Sequence, residues 1–252
     1  MIKKSVDVFI YSYSNEHLLK SVRSMVTNCD PRYLINITIF DQSKNHITES
    51  FYEEEYSHIS ISYNKVDILS SKSPILYKKE FLEKSSSDYV AFMSDSTTYS
   101  VSWNKKIINF LLEFPDAIVS GQGKMSYSKV NGYLEKKYTR GPYFLKADFI
   151  DRDFIFARSE VIKKIPLPDY LVYFGEEEDM LLSCIENGIT VYTRPSNTCI
   201  IDRNKHDVTG MYSIPIHENK NLPYDIKQNY DLLMNRIKNS THDLSKSYLS
   251  KI

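Results

Sequence analysis

The sequence predicts an α/β fold, a single domain with a mostly parallel central sheet flanked by helices. Two observations carry this expectation. Strand-length apolar runs alternate with longer segments whose apolar residues recur at helical spacing. That alternation is the layout of a largely parallel sheet with helices over both faces. A third observation sets the domain count: 252 residues, 42% hydrophobic and 25% charged, suffice for one full core, with no internal repeat or clean linker.

The elements follow in order. Val6 to Tyr11 is a short hydrophobic strand. Ser14-Asn15-Glu16 opens a helix carrying Leu18, Leu19, Val22, Met25 and Val26, and Asp30-Pro31 stops it. Leu34 to Phe40 is a β-branched run ending in Asp41, and Ile59 to Tyr63 is a third strand. Ser73-Pro74 starts a helix through Ile75, Leu76, Phe81 and Leu82, and Tyr89 to Met93 returns to strand. Trp103, Ile107, Ile108, Leu111 and Leu112 mark the next helix, closed by Phe114-Pro115 before a strand at Ala117 to Ser120.

Residues 121–148 read differently. Their periodicity is weak, tyrosines are frequent, and Lys124, Lys129, Lys136, Lys137, Arg140 and Lys146 face only Glu135 and Asp148. The expectation is a basic, aromatic insertion or long loop, whose length points to function or mobility. Phe154 to Ala157 is then a strand, and Ser159-Glu160 opens a helix. Another helix starts in the acidic run Glu176 to Asp179 and ends at Asn187-Gly188, with glycine in the usual position past a helix end. Ile189 to Tyr192 is a strand, and residues 228–252 form a C-terminal helix and polar tail.

Composition narrows the function classes. Lys plus Arg and Asp plus Glu number 32 each, so net charge supplies no general attraction to nucleic acid, although local patches remain open. No run approaches the roughly 18 apolar residues of a membrane span, and the amino terminus lacks a signal peptide's apolar core. Cys29, Cys184 and Cys199 have no metal or redox spacing, and an odd count argues against a secreted disulfide framework. The expected location is cytoplasmic, host cytoplasm if the protein is viral. The six histidines form no HExxH, and Walker A, GxGxxG and GxSxG motifs are lacking.

Three aspartates follow apolar runs: Asp41, Asp95 and Asp202. In open α/β sheets, ligands bind beyond the carboxyl ends of strands. There Asp41 can accept hydrogen bonds from a base or ribose, and Asp95 can hold Mg²⁺ or Mn²⁺ against phosphates. An aspartate after a strand is also an ordinary turn or cap residue. The run Phe174-Gly175-Glu176-Glu177-Glu178-Asp179 is sharper. A helix dipole accommodates one or two first-turn carboxylates but hardly four, and crowded carboxylates raise one another's pKa, as a general base requires.

Together these pieces resemble the GT-A glycosyltransferases, most closely the group containing the Skp1-type polypeptide N-acetylglucosaminyltransferases. The likeness spans about residues 5 to 203 in short motifs. Ser12 and Tyr13 match a Ser-Tyr after the first strand, while Ser14 and Asn15 replace a charged pair. Ser73-Pro74 and Tyr77-Lys78 stand where the family has Gly-Pro and Ala-Arg, which implies that Lys78 neutralises phosphate. Asp95-Ser96-Thr97 and Trp103-Asn104 stand for Asp-Ser-His and Trp-Asp, with the histidine and second aspartate lost. Phe174-Gly175-Glu176-Glu177 matches unchanged, and Gly188, Tyr192 and Pro195 follow in order. Seven residues past that proline the family places a metal-binding histidine; here stands Asp202, with His206 as the fallback.

The resemblance implies transfer of a sugar from a UDP-linked donor to a hydroxyl. Ser12, Tyr13, Asp41, Lys78 and Trp103 would line the donor site, Asp95 and Asp202 would hold Mn²⁺ or Mg²⁺, and Glu176, Glu177, Glu178 or Asp179 would engage the acceptor. The favoured acceptor is hydroxymethylated or glucosylated cytosine in phage duplex DNA, met by basic residues 124–146. A polypeptide hydroxyl (hydroxyproline, Ser or Thr) is the alternative. A non-catalytic binding module on the same scaffold is another, and a nucleotidyltransferase is disfavoured by the match at Phe174 to Glu177. Inversion versus retention and the oligomeric state stay open.

Overall fold

The computed structural model describes residues 3–12, 15–42, 56–66, 74–122, 124–130, 133–139, 142–147, 150–151, 153–167, 176–201, 231–232, 235 and 239. The first half alternates as the sequence predicts: β1 (Ser5–Ser12), α1 (Asn15–Asn28), β2 (Leu34–Asp41), β3 (Ile59–Lys65), α2 (Pro74–Lys84) and β4 (Tyr89–Ser94). After a two-residue turn come β5 (Thr97–Tyr99), α3 (Trp103–Glu113) and β6 (Ala117–Gln122). The remainder comprises β7 (Lys124–Val130), β8 (Tyr133–Thr139), β9 (Leu145–Lys146), β10 (Phe154–Arg158), α4 (Ser159–Ile162), α5 (Glu176–Glu186), β11 (Thr190–Arg194) and β12 (Cys199–Ile201).

Among the described residues the main sheet has eight strands, ordered β3-β2-β1-β4-β10-β6-β11-β9. β3, β2, β1 and β4 run parallel to one another. β10 enters antiparallel between β4 and β6, and β6 pairs parallel with β11. Only β10 and the short edge strand β9 oppose the common direction. The sheet is therefore α/β and mostly parallel, with helices on both faces.

Side-chain alternation along the strands builds two cores. Val6, Val8 and Ile10 of β1 join Leu18, Val22 and Met25 of α1 and Ile107, Ile108 and Leu111 of α3. Phe9 and Tyr11 point the other way, joining Ile75, Phe81 and Leu82 of α2 and Met180, Leu181 and Cys184 of α5. The helical spacing of these residues is what lets each helix bury one stripe. Each fully buried aliphatic side chain stabilises the fold by about 1.5–3 kcal/mol.

α5 stops where the sequence stops it. Gly188 takes φ +68°, a left-handed conformation that an L side chain resists, and Ile189 N–H returns to the Cys184 carbonyl at 2.8 Å. Residues 121–148 depart from expectation. Instead of a long loop, β7 and β8 pair antiparallel from Lys124↔Thr139 to Val130↔Tyr133, leaving Asn131-Gly132 between them. Those two residues lie outside the described ones, and as a sequence Asn-Gly is a strong hairpin signal. Of the expected C-terminal helix, Asp231, Leu232, Asn235 and Asn239 are helical, and the rest of 228–252 lies outside the described residues.

Candidate active site

The order β3-β2-β1-β4 places a topological switch between β1 and β4, since the chain leaves β1 towards β2 and later returns on β1's other side. Such switch points open a crevice beyond the carboxyl ends of the strands. Ser12 ends β1 and Asp95 directly follows β4, so both stand at that crevice. They are joined: Ser12 Oγ donates to Asp95 Oδ2 at 2.8 Å. Ser12 is fully buried and Asp95 is 6% exposed, so this is a charge-assisted bond sheltered from bulk water.

The polar row continues across the neighbouring strands. Ser12 is in register with Asp41, and Asp41 with Lys65. Asp41 is 0% exposed. Its Oδ2 accepts a short hydrogen bond from the Tyr63 hydroxyl and another from Lys65 Nζ at 3.3 Å. Gln42 N–H donates to the Ser12 carbonyl at 2.8 Å, and Tyr11 OH donates to Gln42 Oε1 at 3.2 Å. Asp95, Ser12, Asp41, Tyr63 and Lys65 thus cross four adjacent strands at one end of the sheet. The sequence reading found Ser12, Asp41 and Asp95 but missed Tyr63 and Lys65. The available signal was a polar ending, Tyr63-Asn64-Lys65, on an otherwise apolar strand.

A two-stranded strap supports the Asp95 turn. β12 pairs antiparallel with β5, Cys199 opposite Tyr99 and Ile201 opposite Thr97. Arg194, also 0% exposed, anchors the strap by donating from Nη1 to the Cys199 carbonyl while lying 5.0 Å over the Phe154 ring. Burial pushes the Cys199 thiol up to about 12 and raises the Tyr99 hydroxyl well above its ordinary value, so both act as packing groups. At the turn itself, Ser94 Oγ lies 2.9 Å from Ser96 Oγ and 3.2 Å from Thr97 Oγ1.

Other expected site residues lie elsewhere. Trp103 is 0% exposed and donates its indole N–H to the Met25 carbonyl at 3.1 Å, with Tyr99 and Phe156 as ring neighbours. This corrects the expected contact with the nucleotide: the indole anchors α3 to α1 inside the core. Lys78 is 7% exposed on α2, its Nζ 5.6 Å from the Phe92 ring centre, on the sheet face opposite Ser12. Asp179, 2% exposed, precedes the core residue Met180 on that same opposite face, while Glu176, Glu177 and Glu178 form the first turn of α5. Tyr13, Phe174, Gly175, Asp202 and His206 lie outside the described residues.

The chemistry of the Asp95 turn fits a hard divalent cation. It offers a carboxylate and hydroxyl oxygens, and Mg²⁺-type ions take one or two carboxylates and complete their shell with phosphate and water. Among the described residues, no three His, Cys, Asp or Glu side chains form a metal-holding group. No helix among the described residues is long and apolar enough to cross a membrane.

No family model matches this sequence, and no curated protein matches it. Solved structures do resemble it. A crystal structure of GalNAc-T7 with UDP, GalNAc and Mn²⁺ superposes with TM-score 0.58 at 10% identity, covering 77% of this chain and 45% of that one. S. aureus TarS superposes with TM-score 0.58 at 14% identity, covering 95% of this chain and 40% of that one. The chain therefore spans less than half the length of either protein. Both are GT-A glycosyltransferases, and the fold of this chain is GT-A. The narrower likeness to the Skp1-type group or to a phage group has no counterpart in these two matches.

Proposed function

We propose that the chain is a glycosyltransferase that moves a sugar from a nucleoside diphosphate sugar, UDP-linked, to a hydroxyl. The observation that carries this reading is the buried Ser12–Asp95 bond at the switch point of a GT-A sheet. Asp95 would hold Mn²⁺ or Mg²⁺ with the donor diphosphate. When bound, such an ion supplies Lewis-acid stabilisation of the departing diphosphate. Ser12 orients the Asp95 carboxylate, and the β5–β12 strap fixes the turn that bears it. Asp202 is the second proposed ligand, with His206 the fallback: it directly follows Ile201, which pairs with Thr97 just past Asp95. Asp41 organises the far end of the donor site on β2. Of the acidic run, Glu176, Glu177 and Glu178 are proposed to receive the acceptor, since Asp179 is buried.

The test is nucleoside diphosphate release from UDP-, GDP- and ADP-sugars with Mn²⁺ or EDTA, for the parent and Asp95→Ala. Metal-dependent release from one donor, abolished by Asp95→Ala in a protein that still melts cooperatively within a few degrees of the parent, is the expected result. Release that survives EDTA and the substitution would remove Asp95 from the reaction. No release with or without any acceptor would favour the binding module.

The acceptor proposed with this reading is a hydroxyl on duplex DNA, with a polypeptide hydroxyl as the alternative. Its support is the β7–β8 ribbon: a two-stranded ribbon fits the DNA major groove, and this one bears Lys124, Lys129, Lys136 and Lys137 in sequence. Replacing Lys136, Lys137 and Arg140 together should weaken DNA binding and flatten its salt dependence while donor hydrolysis persists. Binding unchanged and independent of salt would favour the polypeptide.

A further inference from the structure

The turn that bears Asp95 is gripped from a second side, by α1. Ser21, Ser24 and Asn28 sit three and four residues apart, so they form a polar stripe beside the apolar stripe of Leu18, Val22 and Met25. From that stripe Ser24 Oγ accepts the Tyr99 N–H at 3.0 Å, and Asn28 Nδ2 donates to the Tyr99 carbonyl at 2.8 Å. The pattern is that of a neighbouring strand, with two helix side chains in place of its backbone. Both residues are themselves tied down. Ser24 Oγ donates onward to the Ser21 carbonyl at 2.9 Å, and the Asn28 carbonyl accepts the Ser102 N–H at 2.7 Å. Tyr99 is 2% exposed, so its peptide groups need partners inside the protein.

β5 is thereby held on both edges. Along a strand, the peptide groups of successive residues point to opposite edges. Those of Tyr99 meet α1, and those of its neighbours face β12, where the Ser100 N–H donates to the Thr198 carbonyl at 2.9 Å. The other end of the turn is fixed in the main sheet, where the Ser94 N–H donates to the Asp153 carbonyl at 3.0 Å. Asp95 and Ser96 alone connect Ser94 of β4 to Thr97 of β5, so the placement of β5 dictates where Asp95 points. α1 shares a core with Val6, Val8 and Ile10 of β1, and β1 ends in Ser12, which holds the Asp95 carboxylate. One packed unit, β1 with α1, therefore holds both the Asp95 carboxylate and the strand that follows it.

We propose that Ser24 and Asn28 are positioning residues for the cation site: through the Tyr99 backbone they hold β5 where Asp95 meets a divalent cation on a nucleoside diphosphate. Both act through Tyr99, and neither touches the ion. The inference rests on the nucleotide-sugar reading above and adds two residues to it. A seam that only sealed the edge of β5 would stabilise the fold and leave cation binding alone, so the two roles part in a binding measurement.

The test is calorimetric binding of UDP, GDP and ADP, each with Mn²⁺ or with EDTA, alongside thermal melts, for the parent, Ser24→Ala, Ser24→Thr, Asn28→Asp and Ser87→Ala. Alanine favours a helix more than serine does, so Ser24→Ala removes the bond without weakening α1 itself. Asn28→Asp keeps the side chain's shape, but a carboxylate cannot donate to the Tyr99 carbonyl. Ser87→Ala is the control, since it removes a buried hydroxyl's bond to Asp7 at the opposite end of the sheet. Ser24→Ala and Asn28→Asp should weaken Mn²⁺-dependent binding by about 3–10-fold, less than the roughly 10–100-fold of a partner bonded directly to a metal ligand. Their binding in EDTA, and all binding by Ser87→Ala, should match the parent's. Ser24→Thr, which keeps the hydroxyl, should restore Mn²⁺-dependent binding. Should Ser24→Ala fail to fold, Asn28→Asp carries the same comparison. Unchanged Mn²⁺-dependent binding in the α1 variants, or an equal loss in Ser87→Ala, would make the seam purely structural and overturn the proposal while leaving the transferase reading intact. A folded parent that binds none of the three, or binds equally in Mn²⁺ and EDTA, would remove the cation reading along with it.

Discussion

Replacing Ser12 by alanine isolates the bond on which the proposed cation site depends. The substitution deletes one oxygen from a fully buried position and removes the donor that lies 2.8 Å from Asp95 Oδ2. A hydrogen bond to a charged group contributes about 1.5–3 kcal/mol, and losing one partner in a buried setting sits towards the upper end. A protein of this size shifts its melting temperature by roughly 2–4 °C per kcal/mol, so Ser12→Ala should melt about 4–10 °C lower. A double-mutant cycle with Asp95→Asn separates the bond from the side chains' other contacts. The coupling should be about 1–3 kcal/mol, and additive effects would mean that the bond contributes nothing. The second assay is Mn²⁺ titration of donor hydrolysis. Partners that orient a metal ligand typically change metal affinity 10–100-fold, so the half-saturating Mn²⁺ concentration should rise by that factor. A lowered melting temperature with unchanged Mn²⁺ dependence would refute the positioning role and leave Ser12 as a structural residue.

Three further outcomes follow from individual sites. Trp103→Phe should cost about 2–3 kcal/mol, because it opens a cavity and removes the hydrogen bond to the Met25 carbonyl, yet donor affinity measured by calorimetry should not change. Burial would raise the Asp7 carboxyl, but hydrogen bonds from Ser85, Ser87 and Asn36 outweigh it and hold Asp7 below its ordinary value of 3.8. The folded pKa is depressed, so the stabilisation is complete above the unfolded value and is lost as pH falls below about 3.8 through the folded one. Asp7→Asn should therefore flatten the acid limb of a urea-stability profile between pH 5 and 2. Burial pushes Cys29 up to about 11 and Cys184 and Cys199 up to about 12, so Ellman's reagent at pH 8 should label none of the three quickly until denaturant is added.

Much of the fold was legible because its signals are local. The stripe Leu18, Val22, Met25 specifies α1, and Asn187-Gly188 ends α5 with no tertiary information required. The β7–β8 hairpin was equally legible in Val130-Asn131-Gly132-Tyr133, but the count of basic residues obscured it. The strap was not legible: β5 and β12 have three residues each, too few for periodicity, and their pairing joins segments about 100 residues apart. Within the site, Asp95 and Asp41 were visible as carboxylates after apolar runs. Trp103 was misplaced because a motif position says nothing of which way a side chain turns; four residues ahead of Ile107 on α3, it faces the core. Tyr63 and Lys65 became meaningful only when register set them opposite Ile39 and Asp41.

The insertion of β10 between β4 and β6 has a consequence for biosynthesis. β6 leaves the ribosome before β10 but has no neighbour in the first half of the sheet until β10 arrives to bridge it to β4. The strap lags further, since β12 ends about 100 residues after β4. At ~5–20 residues per second, a nascent chain spends roughly 5–20 s with the Asp95 turn made but unsupported. Until β10 arrives, β4 offers an open edge that another chain could pair with, which predicts that truncations ending before residue 154 aggregate whereas those reaching past 201 do not.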